Sequence, residues 1–426
     1  MRKGQIAIIA GVCAIAVIGA LIFFGIIPGL RSAGEKDILR GELTIWGVDD
    51  SQDFGSTLVA GYQSLFPEVT IKYQSFSEAN YERQLINALA AGTGPDIFMA
   101  HNSWLSKHKD KMSPLSESQY PRLTLLNDFP EVVAKDFNDG QATYAFPLYI
   151  DTLSLYVNRD LLNNAGIVSA PTTWEELNKL IPQLTTVSET GRVEQAAVAL
   201  GTSNQNISHG AELLTLFMLQ DRVPMYSAAQ NQATFALEAE DSLKRYIGYA
   251  NPANENYSWN QSQPLDIEAF ASEDLAMMFA YLSEEEKIKA KNPFLNLQVY
   301  AMPQKAGAQK AANLANYWGL AVANTSQNQS LAWNFIGNTM LSEQTMQSYS
   351  QTTSRPPALL TLLGQVASNP TQSFITKQTL TADSWVNPGK QEVDTVFSSM
   401  IQSVLSSQST IQDALAKAQS QISQLY

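Results

Sequence analysis

Two short polar segments of this chain carry side chains suited to holding a small molecule. Asp49 and Asp50 form one segment, and His101, Asn102 and Trp104 belong to the other. Carboxylates accept short, charge-assisted hydrogen bonds, whereas an amide both donates and accepts. Aromatic rings bury a large apolar face at a low cost in conformational entropy. A ligand with a polar rim and apolar faces suits this combination.

Each of these residues also has a structural interpretation. Asp49 or Asp50 can cap the helix that we expect near residue 53, because Asp is a favoured N-cap residue. Trp104 can pack inside a domain, and His101 can hydrogen-bond a loop carbonyl. The sequence leaves both interpretations open.

Strands and helices alternate around the two polar segments. The residue pattern predicts strands at 42–46, 69–74 and 96–100, and helices at 53–66 and 78–91. This order is typical of a parallel, doubly wound sheet. Ligands of such sheets bind beyond the carboxyl ends of the strands. Both polar segments are therefore expected at one edge of the first sheet.

A second α/β region begins near residue 150. We expect a strand at 154–158, followed by helices at 159–165 and 173–186. Further strands are predicted at 275–281, 297–302 and 317–323. The chain after residue 326 has helical apolar spacing almost to its end, so we expect it to be mostly helical.

Length, charge and composition exclude other classes of protein. The chain has 426 residues, which is too long for one compact core and favours two domains. Its net charge is −13, and because residues 1–34 hold three basic side chains and no acidic one, the rest carries −16. So acidic a body repels phosphate backbones, which argues against nucleic-acid binding. One cysteine and three histidines argue against a disulfide and a structural zinc site.

The N-terminal region has the pattern of a membrane segment. Residues 6–30 contain no charged side chain, and as a helix they can cross roughly 30 Å of hydrocarbon. Arg2 and Lys3 precede them, so we expect the N-terminus in the cytoplasm and the body outside. We interpret the segment as an uncleaved transmembrane anchor. Cleavage near residue 33 and lipid attachment to Cys13 are the alternatives.

Four segments of the body carry a recognisable set of motifs. YERQLINALAAGTGPDIFMAHNSW (81–104) combines an amphipathic helix, a Gly-x-Gly-Pro-Asp break and a buried strand. YAFPLYIDTLSLYVNRDLLNNAGIVSAPTTWEEL (144–176) holds Tyr-x-x-Pro, Leu-x-Leu-Tyr-x-Asn-x-Asp-Leu and Pro-x-Thr-Trp-Glu-Glu-Leu. FASEDLAMMFAY (270–281) and YWGLAVANTSQNQSLAWNFIGNTMLSEQTM (317–346) follow. In this order, they resemble the extracellular solute-binding proteins of ABC importers, in the maltose-binding-protein-like group.

The resemblance covers the whole body and implies its fold. That fold is α/β with two lobes, the type II periplasmic-binding-protein-like fold, with a hinge between the lobes and one N-terminal transmembrane helix before them. The expected divisions are residues 1–34 for the anchor or signal region, 42–147 plus 305–349 for lobe 1, and 150–303 plus 351–426 for lobe 2.

The resemblance also implies a ligand cleft between the lobes, with acids, amides and aromatic rings on its rims. Asp151 stands where related proteins carry a cleft acid, although a hinge carboxylate that serves only backbone N–H groups is an alternative. Tyr281 stands where the family often has a stacking aromatic ring. For Trp46 and Trp318 the alternative is packing in the core, and for Arg355 it is an ion pair between the lobes. The candidate binding residues are Trp46, Asp49, Asp50, His101, Asn102, Trp104, Tyr149, Asp151, Tyr281, Trp318 and Arg355.

These features together predict the extracytoplasmic substrate-binding component of an ABC importer. We expect a monomer that binds a small polar solute, a sugar or oligosaccharide, by hinge closure and delivers it to a permease in the membrane. No metal, cofactor or nucleic acid is expected as a partner. Polyamine, ferric-ion and peptide receptors share the architecture, so the sequence leaves the solute open.

Two other functions remain as alternatives. The first is a ligand sensor of the same fold that reports to a signalling partner. The second is an anchored glycoside hydrolase that uses paired carboxylates among Asp49, Asp50 and Asp151. A clamp on sugar hydroxyls explains these acids equally well. Since no Gly-x-Ser-x-Gly, phosphate-loop or His-Glu-x-x-His motif occurs, we predict that the protein is not an enzyme.

Overall fold

The structure is a computed structural model that describes residues 39–48, 51–369 and 372–426. The described chain divides into two compact units. The first unit contains the described residues up to Ile150 together with Tyr317–Gln365. The second unit contains Asp151–Asn316 and the described residues of Val366–Tyr426. Each unit is built around its own five-stranded sheet.

The sheet of the first unit has the predicted parallel strands and one returning strand. Its order is Val69–Phe76, Gly41–Val48, Ile97–His101, Trp318–Val322 and Ala145–Pro147. The first three strands are parallel, and the fourth runs antiparallel to both of its neighbours. Trp318 pairs with His101, and Gly319 pairs with Pro147. The start of the returning strand therefore lies at the carboxyl edge of its neighbours.

Apolar residues at the expected spacing attach helices to this sheet. Ile97–His101 is buried at every residue, as expected of a central strand that is covered on both faces. The helix Glu78–Ala90 buries Tyr81, Leu85 and Leu89 along one stripe. The other helical segments are Ser51–Phe54, Gly55–Val59, Ala60–Leu65, Leu105–His108, Lys109–Lys111, Arg122–Asp128, Glu131–Asp136, Gln329–Met340, Glu343–Thr353 and Leu360–Ala367, which runs into the second unit. A short ladder joins Leu115–Ser116 to Ala142–Thr143.

The sheet of the second unit mixes parallel and antiparallel pairs. Its order is Leu297–Tyr300, Ser154–Asn158, Leu275–Ala280, Val193–Val198 and Thr186–Val187. Val193–Val198 is parallel to Leu275–Ala280, whereas Ser154–Asn158 is antiparallel to it. Ser154 pairs with Ala280, so the start of one strand and the carboxyl end of the other share an edge. A smaller sheet contains Ala382–Asp383, Asn313–Asn316 and Asp151–Thr152. Its strand Asp151–Thr152 directly precedes Ser154–Asn158 in the chain.

Helices cover the second sheet and close its core. Gly210–Gln220 is buried along its whole length. Trp174–Leu184 begins after Thr173, whose side chain accepts a hydrogen bond from the Glu176 backbone N–H at 3.1 Å. The other helical segments are Arg159–Asn164, Phe235–Leu237, Glu240–Gly248, Asp266–Ala271, Leu282–Glu284, Glu285–Lys291, Ser373–Leu380, Lys390–Leu405 and Ile411–Ser423. A hairpin pairs Tyr226–Ser227 with Gln232–Ala233.

Two stretches cluster with a different unit from the one that the resemblance implied. Residues 305–316, expected in lobe 1, contain the strand Asn313–Asn316, which pairs with Asp151–Thr152 in the second unit. Residues 351–365, expected in lobe 2, belong to the first unit, where the Pro356 carbonyl accepts a hydrogen bond from the Ile150 N–H at 3.3 Å. Backbone pairing, which local composition does not reveal, determines where these stretches pack.

Some predicted features lie outside the described residues. These are the membrane segment at 6–30 and the two acids Asp49 and Asp50. Within residues 39–48, 51–369 and 372–426, no helix combines the length and the apolar character needed to span a membrane.

Candidate functional site

The carboxyl edge of the first sheet gathers most candidates of the first unit. His101 ends a parallel strand, and Trp318 pairs with it from the returning strand. Asn102 and Trp104 form a turn after His101, because the Trp104 N–H donates to the His101 carbonyl at 2.9 Å. Tyr149 follows the neighbouring strand by two residues. The strand register thus brings together residues that are far apart in the sequence.

Four rings form an aromatic cluster at this edge, namely Tyr81, His101, Trp104 and Trp318. The Tyr81 ring stacks on Trp104 with centroids 5.8 Å apart. Trp318 meets Trp104 and His101 edge to face at 5.3 Å and 5.2 Å. Trp104 is 4% exposed and Trp318 is 8% exposed. Trp104 packs mainly on other rings, which fits the structural alternative for that residue.

Trp46 differs from the two buried tryptophans. Its ring is half-buried and packs against Phe76 with centroids 4.6 Å apart. The Trp46 carbonyl oxygen lies 3.0 Å from the Tyr81 hydroxyl, which anchors the strand to the neighbouring helix. Part of the Trp46 side chain is therefore accessible, whereas Trp104 and Trp318 are almost fully covered.

A buried carboxylate holds Asn102. The Asn102 Nδ2 donates to the Asp136 Oδ2 at 3.0 Å, and the Tyr317 hydroxyl donates to the same oxygen at 2.8 Å. The Asn102 backbone N–H donates to the Tyr317 carbonyl at 3.0 Å. Burial, together with the Asp136 charge, raises the pKa of Tyr317 well above its usual range, so the hydroxyl keeps its proton.

Arg355 is held inside the first unit by two tyrosines. Its guanidinium lies 4.5 Å from the centroid of the Tyr149 ring, within cation–π range. Its NH1 donates to the Tyr349 hydroxyl at 3.0 Å. Ser354, which precedes it, has a φ of 55° and ends the helix Glu343–Thr353 in the left-handed region. This turn directs the chain so that Arg355 reaches the Tyr149 ring.

Asp151 serves backbone groups in the second unit. It is 2% exposed, and its Oδ1 accepts a hydrogen bond from the Thr152 N–H at 2.9 Å. The backbone N–H groups of Leu282 and Ser283 lie 3.5 Å and 3.4 Å from its two oxygens. These contacts are of the kind expected for the alternative, in which a hinge carboxylate serves backbone N–H groups.

Tyr281 belongs to a group of charged side chains that are buried or half-buried. Its hydroxyl donates to the Glu212 Oε1 at 2.6 Å. His209 bridges two acids, with 2.7 Å from Nδ1 to Glu212 and 2.7 Å from Nε2 to Glu284. The Lys390 Nζ lies 3.3 Å from Glu212 and 2.7 Å from Asp394. We call the following residues the ionic cluster: His209, Glu212, Tyr281, Glu284, Lys390 and Asp394.

Two helix starts and one strand end position the ionic cluster. Glu212 lies in the first turn of Gly210–Gln220, and Tyr281 directly follows the strand Leu275–Ala280. Lys390 is the first residue of the helix Lys390–Leu405, where the positive end of the helix dipole makes its ammonium group unfavourable. The carboxylates of the cluster offset that cost.

Burial and ion pairing set the protonation states of the cluster. Burial disfavours a charge on His209, but hydrogen bonds to Glu212 and Glu284 outweigh it and raise the pKa of His209 to about 10. Burial raises the pKa of Asp394 to about 6, although Lys390 opposes the shift. Burial alone would raise the pKa of Glu212, but the charges of Lys390 and His209 outweigh this effect and lower the pKa below its usual value. The cluster thus holds two cations among carboxylates at neutral pH.

Several residues at the two edges were not among the sequence candidates. His209 and Glu212 offered a usable signal, because side chains three residues apart are neighbours on a helix. Lys390 and Asp394 offered a similar signal, since they are four residues apart on one helix, but Lys390 reaches Glu212 only through the fold. Asp136 offered none, because it meets Asn102 and Tyr317 only through the fold. Among the residues that the structure describes, no group of His, Cys, Asp and Glu is arranged to hold a metal ion.

Comparison with known sequences connects this chain to binding proteins. Residues 49–347 match the family model of bacterial extracellular solute-binding proteins. The maltotriose-binding protein of Pyrococcus abyssi is 25% identical over 152 residues, which are 34% of this chain and 31% of that relative. The second match thus spans less than a third of the length of the curated relative.

Solved structures of two solute-binding proteins share the fold. The sugar-binding protein MalE from Xanthomonas citri is 18% identical over 90% of this chain and 97% of that one, with a TM-score of 0.75. An ABC transporter solute-binding protein from Thermotoga lettingae, bound with α-D-tagatose, is 20% identical over 90% and 99%, with a TM-score of 0.70. These likenesses confirm the predicted two-lobe α/β fold. The matched family model describes a binding protein and not an enzyme, as the sequence predicted. The chain therefore belongs to the bacterial extracellular solute-binding proteins.

Proposed function

We propose that this protein is the extracytoplasmic substrate-binding component of an ABC importer and that its ligand is a sugar or oligosaccharide. The two lobes close over the ligand by a hinge motion, and the closed protein delivers it to a membrane permease. The protein works as a monomer and without a cofactor. The observation that carries the sugar assignment is the grouping of aromatic rings with a fixed amide at the carboxyl edge of the first sheet.

This grouping matches the two kinds of surface that a sugar offers. The C–H faces of a pyranose pack on aromatic rings, and its hydroxyl groups need hydrogen-bond partners. The accessible part of Trp46 suits the first surface, and Asn102 suits the second. Two of the similar proteins support a ligand of this class: one is named a maltotriose-binding protein, and the structure of the other is bound with α-D-tagatose.

The charge balance of the second unit argues against a polyamine. A receptor for a polycation needs carboxylates whose charges are not already compensated. In the ionic cluster, Glu212 and Glu284 contact His209, and Asp394 contacts Lys390. The two cations thus offset most of the charge of the three carboxylates, and every carboxylate already has a cationic partner, which favours a neutral ligand.

Thermal unfolding of the full chain with a panel of solutes tests the proposal. The panel contains maltotriose, D-tagatose and other oligosaccharides, with spermidine and ferric citrate as the competing classes. A true ligand at about 100 times its dissociation constant adds roughly 2.7 kcal/mol of stability. We expect a sugar to give the largest shift. A shift with spermidine or ferric citrate alone would reject the sugar assignment.

A pair of aromatic variants connects the binding to the first-unit edge. Trp46→Ala should weaken sugar binding by about 10-fold, because it removes a partly accessible ring at this edge. Phe294→Ala is the matched control, since Phe294 is 94% exposed and belongs to the second unit. Equal affinity of both variants for the sugar would remove Trp46 from the site.

The membrane anchor at residues 6–30 is part of the same proposal. The intact mass of the protein isolated from its membrane should include the N-terminal segment. A mature protein that begins at about residue 34 would refute the anchor and leave the sugar assignment untouched. Cross-linking in the native membrane should recover a permease.

A further inference from the structure

Among the residues that the structure describes, only one of the two polar atoms of the Asn102 amide has a hydrogen-bond partner. The Nδ2 donates to Asp136 at 3.0 Å. The Oδ1 is buried and receives no hydrogen bond from any residue that the structure describes. Asn102 as a whole is only 7% exposed. A buried acceptor without a donor is costly, and folded proteins keep few of them. This oxygen therefore requires an explanation.

The neighbours of Asn102 determine which amide atom faces which way. An ionised carboxylate has no proton to donate, so only the NH₂ end of the amide can face Asp136. The reverse orientation would place two acceptors against each other at this contact. The Tyr317 hydroxyl donates to the same Asp136 oxygen at 2.8 Å and so engages it further as an acceptor. The Asn102 Oδ1 is consequently fixed on the side away from Asp136.

We propose that Asp136 is a positioning residue that sets the hydrogen-bond polarity of Asn102, so that Asn102 offers the ligand an acceptor and never a donor. The inference rests on the proposed sugar-binding function and deepens it. The ligand must bring an O–H or N–H donor to Asn102. A ring oxygen, a glycosidic oxygen or a carboxylate is rejected there, because two acceptors would then face each other without a proton between them.

The surroundings of Asn102 specify the subsite further. Asn102 stands in the turn between His101 and Trp104, next to the aromatic cluster. A ligand hydroxyl that reaches this oxygen therefore lies beside apolar ring surface. Because water is excluded from such a position, the affinity for the ligand depends more strongly on a correctly placed hydrogen-bond donor. The subsite recognises one particular hydroxyl of a sugar and does not tolerate its replacement by an acceptor.

Single-fluorine analogues of the ligand test this polarity. The probe is maltotriose, or the panel sugar with the larger thermal shift, and its analogues in which one hydroxyl at a time is replaced by fluorine. Fluorine is close to a hydroxyl in size and cannot donate. In the wild-type protein, one position should lose about 10-fold in affinity relative to the parent sugar. Asp136→Asn lets the Asn102 amide turn over, so the loss at that position should fall to about 2-fold.

Tyr317→Phe is the matched control. It also removes a buried hydrogen bond to Asp136 but leaves the contact with Asn102, so the fluorine penalty should keep its full size. Asn102→Ala removes the acceptor, and the position-specific penalty should disappear with it. If Asp136→Asn does not fold, a penalty that persists in Asn102→Ala would still overturn the inference.

The outcomes separate this inference from the proposed function. Sugar binding with the wild-type fluorine penalty in a folded Asp136→Asn variant, or in Asn102→Ala, would overturn the inference alone. The absence of any position with a penalty in the wild-type protein would overturn it as well. A wild-type protein that binds no sugar of the panel would reject the proposed function first.

Discussion

The two units differ in the side chains at the edges of their sheets that hold the candidate residues. The edge of the first unit consists of rings in mutual contact, with Trp104 and Trp318 at its centre. The edge of the second unit consists of opposite charges in mutual contact, with Glu212 and His209 at its centre. These four central residues are buried. Burial of rings is stabilising by itself, whereas burial of charges is tolerated only while every charge keeps its partner.

This contrast predicts different responses to substitution. Removing part of a ring leaves a small cavity, whose cost grows with the missing volume. Removing one ion leaves its partner buried without compensation, which costs more than the pair contributes. The second unit should therefore be the more sensitive to a single change of charge.

The largest effect is expected for Glu212→Ala. This carboxylate contacts His209, Lys390 and Tyr281, so its loss leaves the buried His209 and the half-buried Lys390 each with one carboxylate fewer. We expect the free energy of unfolding to fall by about 3–5 kcal/mol, as for other broken buried ion pairs. Urea denaturation at neutral pH measures the change.

Glu286→Gln is the control for Glu212→Ala. Glu286 is exposed on the helix Glu285–Lys291 of the same unit, and its replacement should change stability by less than about 0.5 kcal/mol. If both variants unfold at the same urea concentration, the charges of the ionic cluster do not hold this edge together.

A smaller effect is expected for Trp104→Phe in the first unit. The shorter ring keeps an apolar face but loses part of the contacts with Tyr81, His108 and Trp318. We expect a loss of about 2 kcal/mol from the cavity and the weakened ring pairs. The same denaturation experiment measures it, and sugar affinity should stay within about 2-fold if Trp104 only packs. A larger fall in affinity would place Trp104 in direct contact with the ligand.

The difference between the edges also explains which residues of the candidate site could be predicted from the sequence. The first-unit candidates follow strands that local apolar patterns predict, and the rule for carboxyl ends places them at one edge. The ionic cluster draws on Glu212, Tyr281 and Lys390, which come from three separate elements. No local pattern connects these residues. Asp136 was missed for the same reason, because it reaches Asn102 only through the folded chain.

Raising the pH should weaken the ionic cluster. The pKa of His209 is raised from its ordinary value to about 10 by Glu212 and Glu284, against the effect of burial. Its proton therefore contributes stability that is complete below about pH 6.5 and is lost as the pH rises towards 10. We expect the melting temperature of the wild-type protein to fall over this range more steeply than that of His209→Gln. Calorimetry at a series of pH values measures the two slopes.

His108→Gln supplies the control for that pH series. The His108 ring is also buried, but it contacts one carboxylate, Glu82, at 2.7 Å, and it belongs to the first unit. This variant leaves the ionic cluster intact, so the part of the slope that His209 contributes should remain. Parallel slopes for wild type and His209→Gln would mean that His209 does not carry a proton in the folded protein over this range.

The smallest effect is expected for an ion pair that is not buried. Lys109 pairs with Asp139 at 2.5 Å in the first unit, and the lysine side chain is 50% exposed. Because water screens this pair and the free side chains keep more conformational entropy, Lys109→Gln should reduce stability by about 0.5 kcal/mol. The difference from wild type should shrink further at high salt, which urea denaturation at two salt concentrations measures. If Lys109→Gln instead destabilises the protein as strongly as Glu212→Ala, then burial is not what distinguishes the charged edge of the second unit, and the contrast between packed rings and compensated charges fails.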